Sequence, residues 1–160
     1  MPLHGLRSRL TAQPQPTPGY AYHVTHGVRI SSIKLTGLLP GKPGVQYKTN
    51  EVFFGTNLNS MYPAYGTTIV SPMTRKFGGV AFTYYQGVAV LRTTQAQLIQ
   101  LKFIQINGND WSGSNVPPTD LELFIDGVWQ PLQTVELGRV HAFWRALYDA
   151  TPWLRSNDAA

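Results

Sequence analysis

Residues 121–132 read LELFIDGVWQPL. Two apolar-rich runs flank Asp126-Gly127, a pair suited to a two-residue turn in which both residues take positive φ, and this is the strongest of the short-range hairpin signals. Leu121, Leu123 and Ile125 fall on one face of the first strand, and Glu122, Phe124 and Asp126 on the other. One face is therefore made for a core. A lone hairpin is only marginally stable in water, so these residues predict a larger sheet for it to join.

The upstream sequence supplies candidate strands between turn signals. Val28–Leu35 is rich in β-branched residues and bounded by Gly27 and Gly37. Val45–Phe54 is apolar but interrupted by the polar Lys48-Thr49-Asn50, and Thr67–Val70 is a short run ended by Ser71-Pro72. Gly79–Tyr85 alternates with period two, and Gln86-Gly87 turns the chain into Val88–Thr93. Ala96–Ile106 fits a strand, although its first residues could also start a helix. Asn57–Gly66 and Asn107–Pro118 read as loops, and Pro131, which cannot donate to a ladder, places the last strand at an edge.

Two segments depart from this pattern. Residues 1–27 hold Pro2, Pro14, Pro16 and Pro18 and show no sustained apolar period, which predicts an extended amino-terminal arm. Within Gly138–Ala150, Val140, Phe143, Trp144 and Leu147 recur at i, i+3, i+4 and i+7, the stripe of an amphipathic helix, and Thr151-Pro152 should stop it. That stripe needs a groove, either on its own sheet or on another copy. The expected fold is all-β: an antiparallel β-sandwich or jelly-roll-like domain over 28–160, with the arm in front and one short carboxy-terminal helix near 138–150.

Composition narrows the function. Charged residues make up 13 % of the 160-residue chain, about half the usual share, replaced by Gly, Pro, Thr, Ser, Asn, Gln and Tyr. Such a neutral, hydrogen-bonding surface suits a protein packed against neighbours. There is no cysteine, which excludes disulfides and thiolate chemistry. No run approaches the ~20 apolar residues of a membrane span, and Arg7 and Arg9 precede no apolar segment, so no secretory signal is expected. Met1–Ile106 holds ten Lys/Arg and one acid (+9) and Asn107–Ala160 three Arg and seven acids (−4), together the net +5. The asymmetry suits head-to-tail packing of copies or, less well, nucleic acid; the basic residues are scattered singly rather than clustered.

Candidate sites are sparse. His23-x-x-His26 has the spacing of a metal pair but lacks a third ligand nearby. Asn107, Asn109 and Asp110 offer calcium-type oxygens without a second carboxylate, and turn formation explains the same letters. Glu122 with Asp126, or Asp110 with Asp120, could be imagined as hydrolytic carboxylate pairs. No nucleophile elbow, Walker loop or nucleotide fingerprint occurs. The expectation is therefore a non-enzymatic protein without metal or cofactor. Trp111 and Trp129 are the candidates for stacking on sugar rings, if the chain is instead a carbohydrate-binding β-sandwich; a small hydrolase is the third and weakest reading.

The Pro-rich arm, the low-charge Thr/Tyr/Asn/Gly-rich β domain and the lack of cysteine and catalytic motifs resemble, in overall character, bacteriophage and other viral virion structural proteins of the small jelly-roll capsid or β-rich decoration and connector class. The resemblance implies assembly in a virion, with copies of the chain and other virion proteins as partners. On this reading the arm residues Pro14, Pro16, Pro18, Tyr20 and Tyr22 and the helix residues Phe143, Trp144 and Leu147 make the intersubunit contacts.

Overall fold

The hairpin forms as its sequence dictates. In the computed structural model, which describes residues 12–40, 51–58, 71–150 and 152, the strands Glu122–Ile125 and Val128–Pro131 pair in antiparallel register from Glu122↔Pro131 to Ile125↔Val128. Asp126 (φ 55°) and Gly127 (φ 79°) make the turn. Leu121, Leu123 and Ile125 are buried, as the alternation requires.

In chain order the elements are β1 (Tyr20–His26), α1 (Ile30–Thr36, entered through a 3-10 turn), β2 (Val52–Gly55), β3 (Ser71–Phe77), β4 (Val80–Gln86), β5 (Val88–Thr94), α2 (Gln95–Gln100), β6 (Ile104–Ile106), β7 (Asp110–Gly113), β8 (Glu122–Ile125), β9 (Val128–Pro131) and α3 (Leu137–Ala150). Seven strands form one antiparallel sheet in the order β6-β7-β2-β1-β5-β8-β9, while β3 and β4 make a separate two-stranded ribbon. The fold is thus mostly an antiparallel β-sheet with a carboxy-terminal helix.

The expected arm does not run to residue 27. Tyr20–His26 pairs with β5 over seven positions, from Tyr20↔Thr94 to His26↔Val88, and is the middle strand of the sheet. The alternation of Tyr20, Tyr22 and Val24 against Ala21, His23 and Thr25 is a strand pattern that the upstream prolines mask. The expected boundary at 27/28 therefore cuts through the 3-10 turn Gly27–Arg29 that follows β1. Of the described residues before β1, Pro14 is buried and Pro16 and Pro18 are exposed.

Two further expectations change. Residues 30–36 are helical rather than extended: Ile30 and Ile33 are buried together, a spacing of three that a strand would split between its faces. Gly37, at φ 75°, donates its N–H to the Ile33 carbonyl and closes the turn. Residues 95–100 are also a helix, started by Thr94, whose side chain accepts from the Gln97 N–H. It ends in a Schellman motif: Phe103 N–H bonds the Leu98 carbonyl and Lys102 N–H bonds the Ile99 carbonyl, with Lys102 itself at φ 66°. A lysine where glycine is usual hides that stop signal. The expected loop 107–118 likewise contains β7, which Asn107 (φ 53°) and Gly108 (φ 74°) turn back onto β6. Thr67–Val70 and most of the proposed 45–54 strand lie outside the described residues.

The core has two parts, one on each face of the sheet. On the first face Ala21, Phe54, Leu91, Leu123 and Ile125 meet Ile30, Ile33, Leu98, Val140, Trp144 and Leu147 from the helices. On the other, Tyr22, Val24, Val88 and Val90 pack with Leu58, against Tyr20, Phe124 and Trp129. Full burial of each such large apolar side chain contributes roughly 1.5–3 kcal/mol. The helix α3 thus finds its groove on its own sheet. Trp144 is 6 % and Leu147 3 % exposed, while Phe143 is half-buried and edge-on to Trp144 at 4.9 Å.

The Trp144 indole is received by two glycines. Gly27, just after β1, donates its N–H to the carbonyl of Gly87, between β4 and β5, at 2.6 Å. A Cβ on Gly27 would stand 2.9 Å from Trp144 Nε1, and one on Gly87 2.6 Å from Trp144 Cζ3. Gly87→Ala should therefore force the indole out of its seat and lower the unfolding free energy by about 1–3 kcal/mol, measured by urea denaturation. Gly138→Ala, where a Cβ meets nothing within 4 Å, should be neutral or slightly stabilising.

Candidate functional site

Two places in the sheet gather chemistry-bearing side chains. The first is the join between β1 and β2, where the only register pair is Tyr22↔Gly55. Next to it, His23 Nδ1 lies 2.7 Å from the Phe53 carbonyl oxygen and its ring packs 5.5 Å from that of Phe54. A carbonyl accepts only, so Nδ1 carries the proton and donates, leaving Nε2 as the lone-pair nitrogen of the neutral imidazole. Burial holds the His23 pKa below its ordinary 6.5, and the bond to Phe53 opposes that shift without cancelling it.

The second place is on the opposite face. Register brings Arg92 beside Tyr22 on β1 and Glu122 on β8. The Arg92 guanidinium carbon sits 3.9 Å from the Tyr20 ring centroid and 4.3 Å from that of Trp129. Its Nε donates to Glu122 Oε1 at 2.9 Å. Trp129 leans in turn on Tyr22 at 5.8 Å and Phe124 at 5.1 Å. A cation between two ring faces gains from both quadrupoles, and the planar guanidinium stacks where an ammonium would not. This cluster ties β1, β5, β8 and β9 together across one face, which is a structural task.

These positions settle where the sequence candidates lie. His23 faces Phe54, whereas His26, three positions along the same strand, points to the opposite side and is exposed; the two cannot share a metal. The Asn109 carbonyl is held by the N–H and hydroxyl of Thr56 at 2.9 and 3.0 Å, so residues 107–110 serve as a hairpin turn tied to β2. The carboxylates are dispersed: Glu122 goes to Arg92, Asp126 to Arg139 at 3.1 Å, and Asp120 accepts from Gln97 at 3.0 Å. Among the described residues no group of three His, Asp or Glu could hold a metal ion. Trp111 is buried, with an indole N–H that has no hydrogen-bond partner, and Trp129 is half-buried with Arg92 stacked on its ring.

The residues proposed for subunit contacts divide. Tyr22, Trp144 and Leu147 are interior, and Tyr22 also takes the Thr17 N–H on its hydroxyl at 2.6 Å. Pro14 is buried, Tyr20 and Phe143 are half-buried, and Pro16 and Pro18 are exposed. Arg92, central to the second cluster, was not singled out by the sequence. Its signal was register: only the pairing of β5 with β1 and β8 brings it between aromatic rings. No helix among the described residues is long and apolar enough to cross a membrane.

No protein-family model, curated protein or solved structure matches the chain.

Because His23 is held neutral in the folded state with its pKa depressed, the unfolded chain binds more protons as pH falls through the ordinary histidine range. The stability His23 contributes is present above about pH 6.5 and is lost as pH falls through the folded pKa. Denaturant unfolding between pH 7.5 and 5 should show stability dropping toward acid. His23→Gln, which cannot titrate, should flatten that slope.

Proposed function

We propose that the protein is a virion structural subunit that works by assembly with copies of itself and other virion proteins, the class its composition resembles. The observation that carries this reading is the β3–β4 ribbon. It runs from Ser71↔Gln86 to Phe77↔Val80 as a sheet of its own, and a lone two-stranded ribbon is marginal in water. β4 packs against α3, where Tyr85 meets Tyr148 at 5.1 Å. The ribbon's far end, turned by Gly78 and Gly79, presents Val80 at 67 % exposure. Among the described residues no further strand pairs with the ribbon, and an unpaired edge is a template for pairing with another chain.

A second feature supports the same reading. The edge strand β6 carries Ile104, 71 % exposed, and β2 carries Phe53, 41 % exposed. Both are register partners of Ser112 on β7 and share one face, so two large apolar side chains flank a small polar one beside an edge that no other described strand pairs with. Low surface charge leaves little repulsion between such faces. In this reading the sandwich anticipated from the sequence is completed between copies, the ribbon of one subunit adding to a layer of the next, and symmetry multiplies modest contacts.

Light scattering on the purified chain should find discrete oligomers or particles. Val80→Lys should shift them toward monomer, by about tenfold or more in dissociation constant for a central apolar contact, with an unchanged melting temperature. A wild-type chain that is monomeric at every concentration and salt would overturn the reading.

A further inference from the structure

The seven-stranded sheet is unevenly sewn. β1 and β5 share seven register pairs and β2 and β7 share four, but β1 and β2 share one. The sheet therefore consists of a four-stranded half, β1-β5-β8-β9, and a three-stranded half, β6-β7-β2, meeting at Tyr22↔Gly55. Within the larger half β5 and β8 share two register pairs, reinforced by the Arg92–Glu122 ion pair, and β8 and β9 share four. In the smaller one, Thr56 holds the Asn109 carbonyl through two hydrogen bonds, so β2 is bound to the β6–β7 turn. Phe54 meets Phe103 edge-on at 5.9 Å, and Gly113 of β7 lies so close to Phe103 that a Cβ there would stand 2.4 Å from the ring. Across the join, His23 donates a side-chain hydrogen bond to the Phe53 carbonyl and lays its ring on Phe54. The halves also share packing, with Val52 and Phe54 in one buried cluster with Ala21 and Leu91 and Leu58 against Tyr22 and Val24, and Leu38 and Val116 exchange backbone hydrogen bonds.

We propose that this join is a hinge seam and that His23 is its latch: the half β6-β7-β2 opens from the rest of the sheet as one cooperative unit, at a lower free-energy cost than global unfolding. Opening energies within a native protein range from near zero to the global value, and a unit held by few pairs lies low in that range. Lys102, at φ 66° between α2 and β6, is a point at which the chain entering the smaller half changes direction, where a hinge rotation can be absorbed. Opening frees the facing edges of β1 and β2 in the middle of the sheet, a slot of strand width lined by backbone donors and acceptors. The inference stands on register and hydrogen bonding and is independent of the assembly reading.

Amide hydrogen exchange on the full chain, resolved to peptides, tests this. In the wild type, the amides of 52–55, 104–106 and 110–113 should share one protection level, about tenfold or more below that of 20–26 with 88–94. His23→Ala should lower protection of the smaller half by a further ~3–10-fold, the scale of one lost hydrogen bond, and leave β5 and β8 unchanged. Equal protection of β2 and β5 in the wild type would overturn the proposal, as would a uniform loss across both halves in the variant. Should His23→Ala fail to fold, the wild-type comparison decides by itself.

Discussion

The fold depends on a tryptophan seated on two glycines. Trp144 is the largest side chain that α3 places in the core, and it reaches the sheet where Gly27 ends β1 and Gly87 separates β4 from β5, two points joined by their own backbone hydrogen bond. With no Cβ at either position, the indole can approach the backbone closely and the helix can lie down on the sheet. Four elements meet at this contact: the middle strand, the ribbon, the strand paired to the middle strand, and the carboxy-terminal helix. The arrangement leaves the indole N–H buried without a partner, a cost on the order of 1–3 kcal/mol. Apolar burial of the ring and of its neighbours Val140 and Leu147 offsets it.

From that contact the sheet acquires two unlike faces. One is covered by helices and is plainly apolar. The other is aromatic, with Arg92 clasped between Tyr20 and Trp129 and fixed by Glu122. That clasp lies wholly in the larger half of the sheet and ties its strands side to side, while the backbone ladder to the smaller half is one register pair, and the two halves otherwise meet through shared core packing and the His23 bond. The backbone ladder is thus dense on one side of β1 and a single pair on the other. The ribbon, packed against α3 at Tyr85 and apolar at its tip, extends the densely paired side.

What could be read from the sequence follows from how local each signal is. The 121–132 hairpin and the α3 stripe were legible because turn chemistry and apolar period sit within a dozen residues. At residues 20–26 three nearby prolines, Pro14, Pro16 and Pro18, mask a clear two-residue alternation. Residues 30–36 look β-branched, and only the joint burial of Ile30 and Ile33 shows a helix. The stop after α2 is hidden by a lysine at a left-handed position, and Asn107-Gly108, a hairpin turn, sits among residues whose composition also fits a loop. His23 was noticed for a spacing with His26 that the strand's alternation makes meaningless; its bond to Phe53 depends on a partner 30 residues away. The clasp around Arg92 was invisible for the same reason.

The helix α3 belongs to this chain's own core rather than to a neighbour's groove. A chain ending at Glu136 tests this most directly, by urea unfolding followed through near-ultraviolet circular dichroism. Without Trp144 and its helix, the account predicts no cooperative transition and no fixed aromatic signal. A truncated chain that still unfolds cooperatively, with its aromatic spectrum intact and only its association lost, would contradict it.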